Sequence, residues 1–346
     1  MTDRMIDLSD TPARLNVRGE LLVITLGEDD CSAPAPSRVA SSSQNKSGDQ
    51  SQRSISESPP PPSHKSRKRH WQSPPGADRT EVTVPLSEIA AVIASHPRVT
   101  FTRAAAAGLA NAGAALIVCD DLRLPAAMLL PLQGHFTQAE RFTIQAAAPL
   151  PLRKQLWKQI VAAKIRAQGR LLEEIRGNNA GLTAMAARVR SGDPENLEAQ
   201  AARRYWQLLF DDPGFVRDRA AGGPNNLLNY GYAVLRAVVV RAVCASGLHP
   251  SLGLHHSNRY DTFRLASDLM EPFRTIVDRA VVLYCESMGW DTPLDADAKA
   301  ELLDVLAKKY ELDGEMRSLF DIASRAASSL AAVLAGKRKK MILPEI

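Results

Sequence analysis

Near residue 150 the hydrophobic period of this chain changes from about two residues to about 3.6, which divides it into two kinds of structure. Before that point, short apolar runs are separated by turn residues. Arg14–Val17 and Leu21–Leu26 read as strands joined by a hairpin turn at Arg18-Gly-Glu20. Glu81–Leu86 and Ile89–Ile93 read as further strands. An alanine-rich helix over Arg103–Asn111 stops before Gly113. Ala114–Cys119 is continuously apolar, the pattern of a strand buried on both faces, and Ala126–Leu132 is a last candidate strand. Beyond residue 150, Arg153–Ile175 places Leu156, Ile160, Ala163, Ala167 and Leu171 on one helix face, and Gly177 ends it. Shorter helices are expected over 180–190 and 196–210, and a buried apolar helix over Leu227–Ser246. One long helix is expected over Phe263–Ser287, with closing helices over Asp295–Tyr310 and Met316–Gly336. The expected fold class is α+β: a small N-terminal β-sheet domain over 1–135, then a larger all-α domain over 150–340.

Residues 31–79 interrupt the first part. They are rich in Ser, Pro and basic residues and contain Pro59–Pro62 and the run Lys65-Ser-Arg-Lys-Arg69. So few apolar groups cannot offset chain entropy, so disorder is expected there. This stretch carries eight Lys/Arg and three Asp/Glu, a surplus equal to the whole net charge of +5. The rest of the chain is formally neutral, so any DNA-binding face on the folded part needs local clustering of charge. Cys31, Cys119, Cys244 and Cys285 form no C-x-x-C pair, so neither a zinc ribbon nor a redox motif is indicated. The N-terminus lacks a signal peptide's apolar core, and no run approaches an uninterrupted membrane span, so the expected compartment is the cytoplasm. Lys337-Arg-Lys-Lys340 follows the last helix, where the helix dipole and solvation account for it.

The chemistry-bearing stretch is Gly247–Arg274, GLHPSLGLHHSNRYDTFRLASDLMEPFR. His249, His255 and His256 precede a helix carrying Asp268 and Glu271, two carboxylates three residues apart and therefore on one face. Carboxylate oxygens with one imidazole suit Mg²⁺ or Mn²⁺, and the flanking Arg264 and Arg274 suit phosphate. Spacing alone fits equally well with surface ion pairs from Asp268 and Glu271 to those arginines. Glu198, in the first turn of the 196–210 helix, is by itself better explained by the helix dipole, which favours a carboxylate there. Asn225 or Asn226 could cap the apolar helix, and Tyr230 and Tyr232 could simply pack.

Taken in order, the segments NLEAQAARRYW (196–206), NLLNYGY (226–232) and GLHPSLGLHHSNRYDTFRLASDLMEPFR (247–274) resemble the CRISPR-associated adaptation integrases, the Cas one family. VPLSEIAAVIASHPRVTFT, ALIVCDD and LWKQIVAAKIRAQGRLL extend the resemblance to nearly everything outside 31–79, and its form is most similar to the type II, II-C-like branch. The 31–79 insertion and Glu88, where aspartate is expected, are departures; a tolerated loop is the simpler account of the insertion, and an extra DNA-contacting arm through Lys65–Arg69 the sharper one.

The resemblance implies Glu198, His256 and Glu271 as metal-binding catalytic residues. It places Asp268 beside the site and makes Asn229, Tyr230, Arg259 and Arg274 candidates for orienting it or holding DNA. It further implies joining of a DNA fragment's 3′-hydroxyl to a CRISPR repeat. The implied assembly is a homodimer made through the sheet domain, two of which a Cas two dimer bridges, with Cas nine a further partner left open. The alternatives are a metal-dependent nuclease that only hydrolyses, and an inactive DNA-binding assembly subunit of the same fold.

Overall fold

In a computed structural model, residues 4–27, 80–120, 125–131, 134–218 and 220–345 are described. The 31–79 insertion, with its basic run, lies outside them. The N-terminal strands are β1 (Arg4–Leu8), β2 (Ala13–Arg18), β3 (Leu21–Leu26), β4 (Thr80–Pro85), β5 (Ile89–Ala94), β6 (Thr100–Phe101), β7 (Ala115–Cys119) and β8 (Pro125–Leu129), with helix α1 (Arg103–Asn111) before β7. They form two four-stranded sheets, ordered β4-β3-β2-β6 and β1-β5-β7-β8. The β2–β3 hairpin pairs Leu15 with Ile24 and Val17 with Leu22, and its turn glycine, Gly19, sits at φ +63°. In the second sheet β1, β5 and β7 run parallel and β8 closes the edge antiparallel.

Alternation along β5 and β7 explains their unbroken apolar sequence. Val92 and Leu116 join a small core with Leu15, Leu22, Leu86 and Leu109. Ala91, Ile93, Ala115 and Ile117 point the other way, into the main core shared with the helices. The sheet is therefore the floor on which the helical part is packed.

That part contains α2 (Gln138–Ala146), α3 (Leu150–Arg176), α4 (Leu182–Arg188), α5 (Leu197–Leu209), α6 (Pro224–Ala245), α7 (Arg264–Leu269), α8 (Arg274–Met288), α9 (Ala296–Ala307), strands β9 (Lys309–Leu312) and β10 (Glu315–Ser318), and α10 (Leu319–Leu334). The five expected stripe residues of α3 are all buried, and Gly177 ends it in the left-handed region at φ +70°. Helix α6 is apolar enough to cross a membrane by length and composition, yet 72% of that stretch is buried inside the protein. At its centre Gly231 lets α8 approach: a Cβ there would lie 2.4 Å from Val277 Cγ1.

The structure corrects three expectations. The helical part is not all-α, because β9 and β10 form a hairpin around Asp313 and Gly314, both at positive φ. The expected Phe263–Ser287 helix is broken: α7 ends at Leu269, a 3₁₀ turn spans Glu271–Phe273, and α8 begins at Arg274. Pro272 has no amide hydrogen to continue the ladder. Strand β1 and helix α2 were not expected at all. Lys337–Lys340 follow α10 and are exposed, and the described Cys119, Cys244 and Cys285 are free thiols.

Candidate active site

Helix α3 is the spine of the site. Two of its residues seven positions apart, Trp157 and Lys164, share a face. Trp157 stacks on His255 with centroids 4.2 Å apart and meets the edge of His256 at 5.8 Å. Lys164, its side chain 13% exposed, lies between two carboxylates: Nζ is 2.7 Å from Glu198 Oε1 and 2.7 Å from Glu271 Oε2.

Each carboxylate is freed for this role by its local backbone. The first amides of α5 are capped by Asp193, whose carboxylate accepts from Leu197 N (3.0 Å) and Glu198 N (2.9 Å). The Glu198 side chain is therefore not needed as a cap and turns toward α3. Glu271 sits in the 3₁₀ turn over Glu271–Phe273, three residues beyond Asp268, and its side chain meets Lys164 of α3. Its other oxygen takes an ion pair from Arg274 Nη2 at 2.9 Å. Burial by itself would raise the Glu271 pKa, but the Arg274 and Lys164 charges dominate and hold it at about 2. Burial likewise disfavours the Lys164 ammonium, and the charges of Glu271 and Glu198 more than restore it.

Asp268 organises the histidine loop. It is fully buried (0% exposed). Its carboxylate accepts from the backbone amides of Leu254 (2.6 Å), His255 (3.1 Å) and His256 (3.1 Å), and lies 2.5 Å from His256 Nδ1. With Nδ1 engaged, His256 presents Nε2 as its remaining donor atom, the arrangement typical of ligating histidines. The Asp268 hydrogen bond is the main cause that raises the His256 pKa, and the charges of Glu271 and Glu198 add to it. Gly253 is required here: a Cβ would lie 2.8 Å from Arg264 Cβ and 3.1 Å from Asp268 Oδ2. From outside, Gln145 of α2 clamps the loop through His249 N and O and Leu252 O.

Behind Glu271 a second buried acid, Asp278, accepts hydrogen bonds from Tyr205 (2.7 Å) and Tyr232. Burial pushes it up to about 6. Arg274 lies over the Tyr232 ring at 4.5 Å. Between this wall and Lys164 is a cavity of about 210 Å³, lined also by Gln168, Trp206 and Arg217.

The structure therefore brings Glu198 and Glu271 to one cation and sets His256 and Asp268 beside them. Arg274 belongs to the same cluster. Arg259 is exposed on the histidine loop, with Tyr260 at 5.5 Å. Asn229 accepts from Arg217 Nη2 at 2.7 Å and so steadies the wall. Tyr230 is a correction. Two residues on a helix differ by about 200°, so Tyr230 and Tyr232 face opposite ways. Tyr230 is buried toward Lys299, 5.9 Å from its ring, and toward Asp7 of β1; Tyr232 is the one at the site. Lys164, Trp157, Asp278 and Tyr232 escaped the sequence reading of the site.

Among the described residues no three His, Cys, Asp or Glu side chains form a ready-made metal cage. The donor chemistry nevertheless fits a hard divalent ion. Two carboxylates from different elements already converge on a positive charge, and a neutral imidazole nitrogen can be offered next to them.

The family model described as CRISPR associated protein Cas1 matches residues 75–304. The CRISPR-associated endonuclease Cas1 of Neisseria meningitidis serogroup C is 36% identical over 267 residues, 76% of this chain and 87% of the relative, consistent with the II-C-like form of the motifs. Endonuclease Cas1 2 of Pyrobaculum aerophilum is 28% identical over 72% of this chain and 89% of its own length. Among solved structures, a casposase bound to integration product superposes with a TM-score of 0.71 at 18% identity, covering 98% of this chain and 92% of that one. A Cas1 protein from Thermotoga maritima superposes with a TM-score of 0.66 at 13% identity, covering 99% and 100%. With the family model spanning most of the folded chain and the histidine, carboxylate and lysine side chains clustered inside that span, this protein belongs to the Cas1 family.

Proposed function

We propose that this chain is a divalent-metal-dependent DNA endonuclease and integrase of CRISPR adaptation, with Glu198, His256 and Glu271 holding Mg²⁺ or Mn²⁺. The observation that carries this reading is the convergence of Glu198 and Glu271 on one positive charge at 2.7 Å each, with His256 fixed beside them by Asp268. The names of its relatives, an endonuclease and a casposase bound to integration product, support it. In the proposed reaction a DNA 3′-hydroxyl attacks a repeat phosphodiester; a new oxygen–phosphorus bond forms and the bond to the departing 3′-oxygen breaks. When bound, a divalent ion supplies charge stabilisation at the phosphate and lowers the pKa of the attacking hydroxyl. Glu198 and Glu271 fix the ion's position. Asp268 holds the His256 ring in the tautomer that offers Nε2. Arg274 keeps Glu271 ionised and aimed, and the exposed Arg259 is placed to meet DNA phosphate.

Two strand-transfer centres at fixed spacing need more than one copy of the site. The proposed assembly is a homodimer through the N-terminal sheet region (1–135), with the catalytic chemistry in 150–340. Two dimers are bridged by a Cas2 dimer, and Cas nine remains a candidate partner in the cytoplasm. A solved Cas6-RT-Cas1–Cas2 complex with a TM-score of 0.64 to this chain is in keeping with that assembly. Product analysis separates integration from plain hydrolysis. With a 3′-hydroxyl duplex and a repeat-bearing plasmid, the expected product is joined DNA; released fragments alone would leave only a nuclease.

A pH dependence follows. A protonated imidazole cannot bind metal. The Asp268 hydrogen bond raises the His256 pKa above its ordinary 6.5, so protons compete with the metal for this ring and metal-dependent activity falls in mild acid. A rate that stays flat from about pH 5 to about pH 8 contradicts His256 as a ligand.

A further inference from the structure

The positive charge between Glu198 and Glu271 comes from the protein itself. The Lys164 ammonium lies where a divalent ion shared by the two carboxylates would be, 2.7 Å from each. Glu271 is 4% exposed, so water hardly reaches it, and Glu198, at 22%, is reached only in part. Two facing carboxylates without a cation between them repel. Resting on the metal-site reading above, we propose that Lys164 is an internal stand-in for the metal, holding the two carboxylates in place and withdrawing when the ion binds.

The neighbouring cavity offers a place for it to withdraw to. Gln168 lies four residues further along α3, on the same face as Lys164. Gln168 is buried, lines the 210 Å³ cavity beside Lys164, and its Oε1 has no hydrogen-bond partner among the described residues. A buried acceptor left unpaired is costly unless it is used in another state. The flexible four-carbon stem of Lys164 lets Nζ swing from the carboxylates into this cavity and donate to Gln168 Oε1. Lys164 is thus a positioning residue, and Gln168 its second partner. The exchange keeps the Glu198–Glu271 pair together and aimed at one point before metal arrives. It also sets a threshold on metal affinity, because the ion must displace an ammonium.

The test is equilibrium Mn²⁺ binding, measured by electron paramagnetic resonance on the full chain. The proteins are wild type, Lys164→Met, Gln168→Met, the double variant and Glu271→Gln. Removing a competing positive charge in direct contact should tighten Mn²⁺ binding about tenfold or more in Lys164→Met. Gln168→Met should weaken binding, since the displaced ammonium loses its acceptor. The double variant should match Lys164→Met, because Gln168 matters only through the lysine. Unchanged or weaker binding in Lys164→Met, or additive effects in the double variant, overturns the proposal. If wild type binds no Mn²⁺, or Glu271→Gln binds it equally well, the metal-site reading fails and takes the proposal with it. Should Lys164→Met fail to fold, a crystal structure of wild type with Mn²⁺ decides. Nζ moved off both carboxylates supports the exchange, and Nζ still within hydrogen-bond distance of both beside a bound ion overturns it.

Discussion

Glu271→Gln should lose metal-dependent DNA chemistry and a large part of the fold's stability together. The side chain is 4% exposed and faces Lys164 at 2.7 Å and Arg274 at 2.9 Å. A neutral amide leaves both cations buried without their shared counter-charge. Breaking a buried pair from one side costs about 3–5 kcal/mol. The pKa of the acid gives a consistent figure. Folding lowers it from an ordinary 4.5 to about 2, worth about 3 kcal/mol. The sign is that of a depressed acid: this stability is present above the unfolded value and is lost as pH falls toward 2. Wild type should therefore lose stability across that acid window, and Glu271→Gln should lack that part of the slope. Losing a metal-binding oxygen removes several kcal/mol of transition-state stabilisation, so strand transfer should fall by about a thousandfold or more. Thermal melting at a series of pH values and a strand-transfer assay read the two effects. A variant that melts like wild type and still joins DNA contradicts both.

The second large effect is expected at Asp268, which the histidine loop surrounds with donors. Leu254, His255 and His256 give it three backbone amides, and His256 Nδ1 lies at 2.5 Å. In Asp268→Asn one oxygen becomes an NH₂ that faces N–H groups, so at least one buried donor goes unpaired. Losing charge-assisted hydrogen bonds of this kind costs on the order of 3 kcal/mol. The ring of His256 also loses the charged partner that fixes its orientation. Partners of ligating groups typically change metal affinity by about 10–100-fold, and a loss of that size is expected for Mn²⁺ here. Hydrogen exchange should show faster opening of the 253–256 amides. Wild-type Mn²⁺ affinity in Asp268→Asn would mean that the loop is held from outside by Gln145 and by Arg153, whose Nε donates to Leu254 O at 3.2 Å, and not by Asp268.

How much of this was legible from residues alone depended on whether the signal was local. Short apolar runs identified β2, β3, β5 and β7, and the apolar stripe identified α3, because burial of one or both faces is written into neighbouring residues. Strand β1 was missed because Arg4–Leu8 is short and earns its place only by pairing with β5, far along the chain. The β9–β10 hairpin was missed although Asp313-Gly314 is a strong turn signal, because the flanking charged residues resemble a helix surface. The break at Pro272 was visible as a proline, but the apolar pattern continued across it.

At the site, Glu198, His256 and Glu271 were each ambiguous, and their order together singled them out. Asp268 was expected beside the site, but its hydrogen bonds to the loop backbone needed coordinates. Lys164 was overlooked although it shares the buried face of α3 with Trp157, Ile160 and Leu171, because nothing local marks which acids it would meet. Only the crossing of α3 against α5 and the Pro272 turn makes it the bridge between two acids. That Tyr232, and not Tyr230, lines the cavity was hidden for a related reason. Both lie on a helix buried nearly all round, so the sequence has no polar side to mark which face meets the site.

The most direct test of the central claim is strand transfer by the purified protein with its cognate Cas2, a 3′-hydroxyl DNA duplex and a repeat-bearing plasmid. It is run with and without Mn²⁺, for wild type and His256→Ala. Joined product that requires Mn²⁺ and disappears in His256→Ala is the predicted result. Joining that persists in His256→Ala, or that proceeds without a divalent ion, contradicts a metal centre built from Glu198, His256 and Glu271.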